Sequence, residues 1–198
     1  MTTTTTTPQS YLPASLYGGA ITCLLPSTFT DVSDLRQVPD NQEVYLDKDG
    51  FTSIVVEILE RVERGSDREA LEWHLKDLVE EDAGESKVWG MSEARMGKMG
   101  DTTPAYTLLA TSPPGAKQRG RANEPAFIGI LLLLVRLVEQ KTDILVAVNV
   151  PHITGNYEPG DVDLEKGRWG GLLEMGLQIR EKVMASLEVR DWGLFVQE

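Results

Sequence analysis

Two segments of the chain, residues 66–82 and 169–187, have apolar residues at the spacing of an amphipathic α-helix. In each segment the apolar residues recur every three or four positions, which places them on one face of a helix. Ser66 and Glu69 form a capping-box pattern at the start of the first segment, because a hydroxyl and a carboxylate at this spacing can each accept a hydrogen bond from an unpaired amide. The sequence therefore predicts two helices, each with one face to bury.

The most apolar stretches of the chain are typical of central β-strands. Residues 126–138 and 144–150 form nearly continuous apolar runs, and the short polar segment between them favours an antiparallel hairpin that is covered on both faces. Residues 53–62 fit either a strand or a helix, and their β-branched side chains favour the strand. Further strands are predicted at residues 20–25, 42–47, 87–91, 105–111 and 194–196.

The order of these elements indicates the fold class. Strands follow one another in hairpins, a helix follows, and the same sequence of strands and helix is repeated. Hairpins give antiparallel strands, and each amphipathic helix must cover one face of the sheet that they form. The sequence therefore predicts an α/β protein, an α/β/α sandwich with a central antiparallel sheet and helices packed on its faces.

Two segments differ in composition from the predicted core. Residues 1–15 carry no charged side chain and are rich in Thr and Pro, which predicts a disordered leader before a single domain at residues 16–198. Residues 112–125 contain three prolines, two glycines and three basic residues, which predicts an exposed loop insertion.

The charge of the chain limits the class of partner that it can bind. Of 198 residues, 19 are Lys or Arg and 31 are Asp or Glu, so the formal charge is −12. This charge repels a nucleic acid backbone and favours a partner protein with a basic face. The alternative is that the charge only keeps the protein soluble. No run approaches the roughly 18 apolar residues of a membrane span, so we expect no nucleic acid and no membrane partner.

Catalytic and metal-binding motifs are not found in the sequence. It contains no phosphate-binding loop, dinucleotide fingerprint, nucleophile elbow or zinc helix, so neither an enzyme nor a cofactor is predicted. One cysteine, Cys23, and two histidines cannot supply a zinc site without several carboxylates, and no metal site is predicted. We expect Cys23 to be buried, and His74 to lie on the surface of its helix or half-buried. His152 follows a predicted central strand, where functional residues often lie, but has no evident partner.

An acidic segment precedes and enters the predicted strand at 42–47. Residues 31–49 hold six acidic residues against two basic ones, and Asp40 and Glu43 lie three residues apart after Pro39. A loop restrained by proline can present two exposed carboxylates in a fixed geometry, which suits recognition of a basic partner. The alternative is a solvated surface without a partner.

Two stretches of sequence are far more specific than this charge pattern. They are Leu-Tyr-Gly-Gly-Ala-Ile at residues 16–21 and Asp-Val-Ser-Asp-Leu-Arg-Gln-Val-Pro-Asp-Asn-Gln-Glu-Val-Tyr at residues 31–45. With these stretches the sequence resembles the Ran guanine nucleotide release factor family, the Mog-type proteins. The resemblance extends over residues 16–198.

The resemblance implies a fold shared with the photosystem protein PsbP. It also implies a non-enzymatic regulator that binds the small GTPase Ran, releases its nucleotide without hydrolysis and supports nuclear protein import, in the nucleus and cytoplasm. Asp40 and Glu43 match the acidic pair on which Ran binding depends in the family. Arg36 and Gln42 match the same motif, and a role in holding the loop is equally open for them. We expect a monomer.

An alternative function remains open on the same fold. A small-molecule-binding or enzymatic domain would need a pocket in which several polar side chains converge, and the sequence shows no such set.

Overall fold

An antiparallel sheet of seven strands forms the centre of the computed structural model, which describes residues 9–33 and 38–195. The elements of this part of the chain are β1 (Tyr11–Leu16), β2 (Ile21–Pro26), β3 (Phe29–Asp31), β4 (Gln42–Asp47), β5 (Ser53–Glu60), α1 (Asp67–Val79), β6 (Lys87–Ala94), β7 (Ala105–Ser112), β8 (Pro125–Leu137), β9 (Thr142–Ile153), α2 (Gly170–Ser186) and β10 (Glu188–Val189). The large sheet has the strand order β3-β4-β5-β9-β8-β7-β6, and β1, β2 and β10 form a small second sheet.

The hairpin of β8 and β9 lies inside the large sheet, as its apolar runs predict. The two strands are antiparallel neighbours, with Leu131 opposite Val148 and Leu133 opposite Val146. These side chains are buried on one face of the sheet and Leu132, Leu134, Leu145 and Ala147 on the other, since a helix covers each face. Long uninterrupted apolar strands are therefore stable here, where an alternating pattern would place polar groups in the core.

The two helices pack on opposite faces of the large sheet. Leu71 and Leu75 of α1 pack against the face that carries Leu132 of β8. On the other face, α2 and the small sheet pack against alternate residues of β8 and β9. Gly176 allows the close approach of α2, because a Cβ there would lie 2.9 Å from side-chain carbons of Leu131 and Val150. The predicted sandwich with a helix on each face is confirmed.

The predicted helix cap is present at the start of α1, with one difference. Ser66 Oγ accepts a hydrogen bond from the amide of Glu69 at 3.2 Å, as the capping box predicts. The Glu69 carboxylate accepts from the amide of Gly65, at 3.2 Å, one residue earlier than the pattern implies.

The structure corrects the two ends of the predicted domain. Residues 11–15, expected in a disordered leader, belong to β1, because β1 pairs along its whole length with β2 and ends at the buried Leu16. Residues 1–8 lie outside the described residues. The predicted strand at 194–196 is wrong, since residues 192–195 form a 3-10 turn that buries Phe195. The late edge strand is β10, which pairs with β2.

The predicted loop at 112–125 is shorter than expected. Ser112 is a buried end residue of β7 and Pro125 begins β8, so the connecting segment is residues 113–124. Across the described ranges, 9–33 and 38–195, no helix combines the length and the apolar character needed to cross a bilayer.

Candidate functional site

The predicted partner-binding residues lie where the chain enters β4. The amide of Gln42 donates to the carbonyl of Pro39 at 2.9 Å, which closes a turn with Asp40 at its exposed tip. The side-chain amide of Asn41 donates to the carbonyl of Ile58 at 3.1 Å, and the amide of Ile58 donates back to Asn41 at 2.9 Å. The turn that carries Asp40 is therefore fixed to β5.

Glu43 lies in β4 on the same face as the buried Tyr45, since side chains two residues apart share a face. It is half-buried, and its carboxylate accepts a hydrogen bond from the amide of Tyr17. The expectation of two exposed carboxylates is therefore correct for Asp40 and wrong for Glu43. The reason is the packing of the small sheet, which places residue 17 over β4.

The side chain of Tyr17 contacts the same region as its amide. Its hydroxyl donates to the carbonyl of Val56 at 2.8 Å and lies 3.0 Å from the carbonyl of Asn41. Burial raises the pKa of Tyr17 well above its usual range, and the charges of Glu43 and Glu57 raise it further. The hydroxyl therefore remains a hydrogen-bond donor at any physiological pH.

The other two predicted site residues differ in what the structure shows. Gln42 donates from its side-chain amide to the carboxylate of Glu57, directly across from it on β5. This contact ties β4 to β5, as a loop-holding role would require. Arg36 lies outside the described residues.

A buried polar network, which the sequence did not predict as a unit, lies under α1. Arg136 and Asp143 are paired across the β8–β9 hairpin, with Arg136 Nε 3.0 Å from Asp143 Oδ1. Arg136 also donates to Asp67, at the start of α1. His74 of α1 contributes its Nε2, 2.9 Å from Asp143 Oδ2, and the amide of Val62 donates to the same oxygen at 3.0 Å. The network joins α1 and the segment before it to the sheet.

The contacts of this network determine which of its groups are charged. Burial alone would raise the pKa of Asp143, but hydrogen bonds from His74, the Val62 amide and Arg136 hold it below its usual value. Burial also opposes the charge of Arg136, yet the bonds and charges of Asp143 and Asp67 raise its pKa overall. Arg136 and Asp143 are therefore both charged, and their ion pair joins β8 to β9.

Both histidines are buried, which corrects the expectation for His74. Its side chain is 1% exposed, because it lies on the same helix face as Leu71 and Leu75. His152 is fully buried and stacks on Phe127, with ring centroids 4.0 Å apart. Its Nδ1 lies 2.9 Å from the Val150 carbonyl, and burial lowers its pKa. These contacts describe packing in the core.

An open cleft of about 840 Å³ lies on the α1 face, far along β4 from Asp40. The β4–β5 hairpin, the end of α1 and the loop at 113–124 form its walls, with Phe51 and Lys117 among the lining residues. None of Cys23, His74 and His152 lines it. The cysteine and the two histidines of the chain therefore lie outside this cleft.

The acidic residue Asp163 is paired with basic side chains. Asp163, which follows the end of β9, contacts Lys166 at 3.0 Å and Arg168 at 3.1 Å. No group of three or more His, Cys, Asp or Glu that could hold a metal ion is present within residues 9–33 and 38–195.

Comparison with known proteins gives consistent matches over most of the chain. The model of the Ran-interacting Mog1 protein family matches residues 14–151. The probable Ran guanine nucleotide release factor of Dictyostelium discoideum is 33% identical over 197 residues, 95% of this chain and 98% of that protein. The nuclear import protein MOG1 of Saccharomyces cerevisiae is 34% identical over 148 residues, 69% of this chain and 64% of the yeast protein.

Solved structures give the same result. The crystal structure of the Saccharomyces cerevisiae Ran-binding protein Mog1p has a TM-score of 0.72 and 26% identity, covering 95% of this chain and all of the yeast chain. Cyanobacterial PsbP from Synechocystis sp. PCC 6803 has a TM-score of 0.54 at 12% identity, covering 96% and 98% of the two chains, and shows the shared fold alone. The predicted fold and family are thus confirmed: the chain belongs to the Ran-interacting Mog1 protein family.

Proposed function

We propose that this protein binds the small GTPase Ran and promotes release of its guanine nucleotide, supporting nuclear protein import. The observation that carries the proposal is the family match over residues 14–151, which includes the whole Asp40 turn. Relatives named Ran guanine nucleotide release factor and nuclear import protein support it. We propose that it acts in both nucleus and cytoplasm, in keeping with a role in import, and that it does so as a monomer.

The charge of the protein suits a partner with a basic face. The formal charge is −12, and Asp40 stands exposed on a turn that is hydrogen-bonded to β5. A fixed turn loses little conformational entropy on docking, so more of the contact energy appears as affinity. Long-range attraction would also speed the encounter, most strongly at low ionic strength.

Nucleotide release requires a preference for the empty or distorted GTPase, because only differential affinity shifts an equilibrium. A small GTPase holds its phosphates with a magnesium ion, a lysine and backbone amides. A carboxylate placed beside these groups would compete for the lysine or weaken the magnesium site. Asp40 is the side chain that we assign to this contact, with Glu43 as its acidic neighbour.

Gln42 and Arg36 complete the proposed partner-binding set. Gln42 supports the site from within, because its bond to Glu57 fixes the start of β4 against β5. Arg36 belongs to the same sequence stretch and is proposed as a fourth member on that ground.

The test is the rate at which Ran loses labelled GTP with and without this protein. We expect faster loss with the protein, and a smaller effect as salt is added. Asp40→Asn should reduce the acceleration by about tenfold or more, because truncating one partner of a buried interfacial charge pair costs about 2–5 kcal/mol. Glu158→Gln is the matched control, because it removes one exposed acid beyond the far end of β9 and should leave release unchanged.

Two results would contradict this proposal. If the unmodified protein neither bound Ran nor accelerated release, the function itself would be wrong. If Asp40→Asn and Glu158→Gln lowered release equally, the effect would come from total charge and not from the Asp40 turn.

A further inference from the structure

Tyr17, Gly18 and Gly19 form a turn with unusual backbone angles, which we call the Tyr17–Gly19 turn. The φ angles of the three residues are 50°, 66° and 94°, all in the left-handed half of conformational space. Residues other than glycine rarely adopt this region, and such a conformation persists only when surrounding contacts hold it. The turn is thus a place where the structure maintains local strain.

The contacts that hold this turn are made with the proposed site. The amide of Tyr17 donates to the carboxylate of Glu43, and the hydroxyl of Tyr17 bonds to Val56 and lies within reach of Asn41. Asn41 and Glu43 lie one on each side of Gln42, directly after Asp40. The Tyr17–Gly19 turn therefore restrains the residues on both sides of Gln42, where the chain passes from the exposed Asp40 into β4.

We propose that Glu43 is a positioning residue, which acts by holding the Tyr17–Gly19 turn against β4, and that Asp40 is the carboxylate that contacts Ran. This inference rests on the proposed function and divides the roles of its two acidic residues. Its basis is their different surroundings: Asp40 is exposed, whereas Glu43 is half-buried and already bonded to a backbone amide. A positioning role needs the acceptor oxygen of Glu43, whereas a direct ionic role needs its charge.

Substitutions at Glu43 separate the effect of its hydrogen-bond acceptor from the effect of its charge. Glu43→Gln keeps a carbonyl oxygen that can accept from Tyr17 and removes the charge, whereas Glu43→Ala removes both. In the labelled-GTP assay we expect Glu43→Ala to lose about tenfold and Glu43→Gln to recover most of that loss, because its carbonyl oxygen still accepts from the amide of Tyr17. Asp40→Asn should lose about tenfold and also weaken the salt dependence. Equal losses and equal salt effects in Glu43→Gln and Asp40→Asn would overturn the inference.

Gly18 provides a matched pair that leaves both carboxylates in place. A Cβ there would meet no atom within 4 Å, so a substituent is limited by the φ of 66° and not by space. Asn tolerates this conformation, whereas a β-branched residue does not. We expect Gly18→Asn to release nucleotide like the unmodified protein and Gly18→Val to lose about tenfold, with unchanged salt dependence because Asp40 keeps its charge.

Tyr17→Phe is the second variant, for the case in which Gly18→Val does not fold. It removes only the hydroxyl bonds to Val56 and Asn41, and we expect a several-fold loss of release with unchanged salt dependence and a native circular dichroism spectrum. Full release by the Tyr17→Phe variant, or by a folded Gly18→Val variant, would overturn the inference while the proposed function stands. An unmodified protein without any effect on Ran would overturn both.

Discussion

At the scale of single residues, the structure differs most from the sequence-based expectation where polar side chains are buried. His74 was expected near the surface, although it is three positions after Leu71 and four before Leu78, on the apolar stripe of α1. That spacing indicates that the side chain of His74 faces the core. Its partner Asp143 lies 69 positions away, and no local pattern indicates which carboxylate a buried histidine will meet.

The pairing of Arg136 and Asp143 was partly visible in the sequence. Both are polar residues at the ends of apolar runs, and the predicted hairpin brings those ends together. The contact of Arg136 with Asp67, at the start of α1, depends on how the helix packs on the sheet. Sequence alone therefore predicts the strands that carry this network but not the network itself.

Asp143→Asn tests the energetic role of this network. The change leaves the guanidinium of Arg136 buried with Asp67 as its remaining acidic neighbour, so we expect unfolding to cost about 3 kcal/mol less, the lower range for breaking a buried ion pair. Urea unfolding with a constant m-value measures this loss. Glu158→Gln should leave the midpoint unchanged. A midpoint unchanged in Asp143→Asn as well would show that the network contributes no net stability.

At the scale of secondary structure, the elements with strong periodicity were predicted well, whereas the strands near the two ends of the predicted domain were not. The two helices and the central hairpin lie where their apolar spacing places them, because burial against a large sheet selects for that spacing. β1 was missed because Tyr11–Leu16 contains a proline and no regular alternation. β1 forms because it pairs with β2, which the sequence of β1 itself does not indicate.

The loop at 113–124 can be tested as an element. Arg119 forms an ion pair with Asp82 beyond the end of α1, and its Nε donates to the Pro114 carbonyl at 2.8 Å. Since Arg119 is 49% exposed, this pair should contribute less than about 1 kcal/mol. We expect a short Gly-Ser linker in place of the loop to lower the free energy of unfolding by no more than this amount.

A single substitution separates the pair from the rest of the loop. Arg119→Ala removes the ion pair and keeps the chain length, and it should account for most of any loss that the linker causes. A loss of several kcal/mol with the linker, but not with Arg119→Ala, would show that the loop is packed and is not a dispensable insertion.

At the scale of the whole molecule, stability should fall in two stages as pH decreases. Burial holds the pKa of His152 below its usual value, so its neutral form contributes stability that is lost as pH falls below about 6.5. The lowered pKa of Asp143 gives a contribution that is present above about pH 4 and is lost below it. Urea unfolding from pH 8 to pH 3 measures both stages.

Asp143→Asn serves as the control for this profile. It should reduce the loss of stability below about pH 4, to which the lowered pKa of Asp163 also contributes, and keep the stage that begins near pH 6.5, since His152 is unchanged. A stability that is constant from pH 8 to pH 5 in the unmodified protein would contradict the role assigned to His152.

The small sheet has a consequence for how the protein becomes active during its synthesis. β2 pairs with β1 at the start of the chain and with β10 near its end, and the amides of Arg190 and Asp191 donate to the carbonyl of Ala20, directly after the Tyr17–Gly19 turn. On the ribosome these residues emerge after every strand of the large sheet, because β10 follows β9 and α2 in the chain. The central hairpin can form from local contacts well before that time, whereas this long-range closure must wait. We therefore expect the newly made chain to be folded through most of its large sheet before the Tyr17–Gly19 turn takes its final conformation.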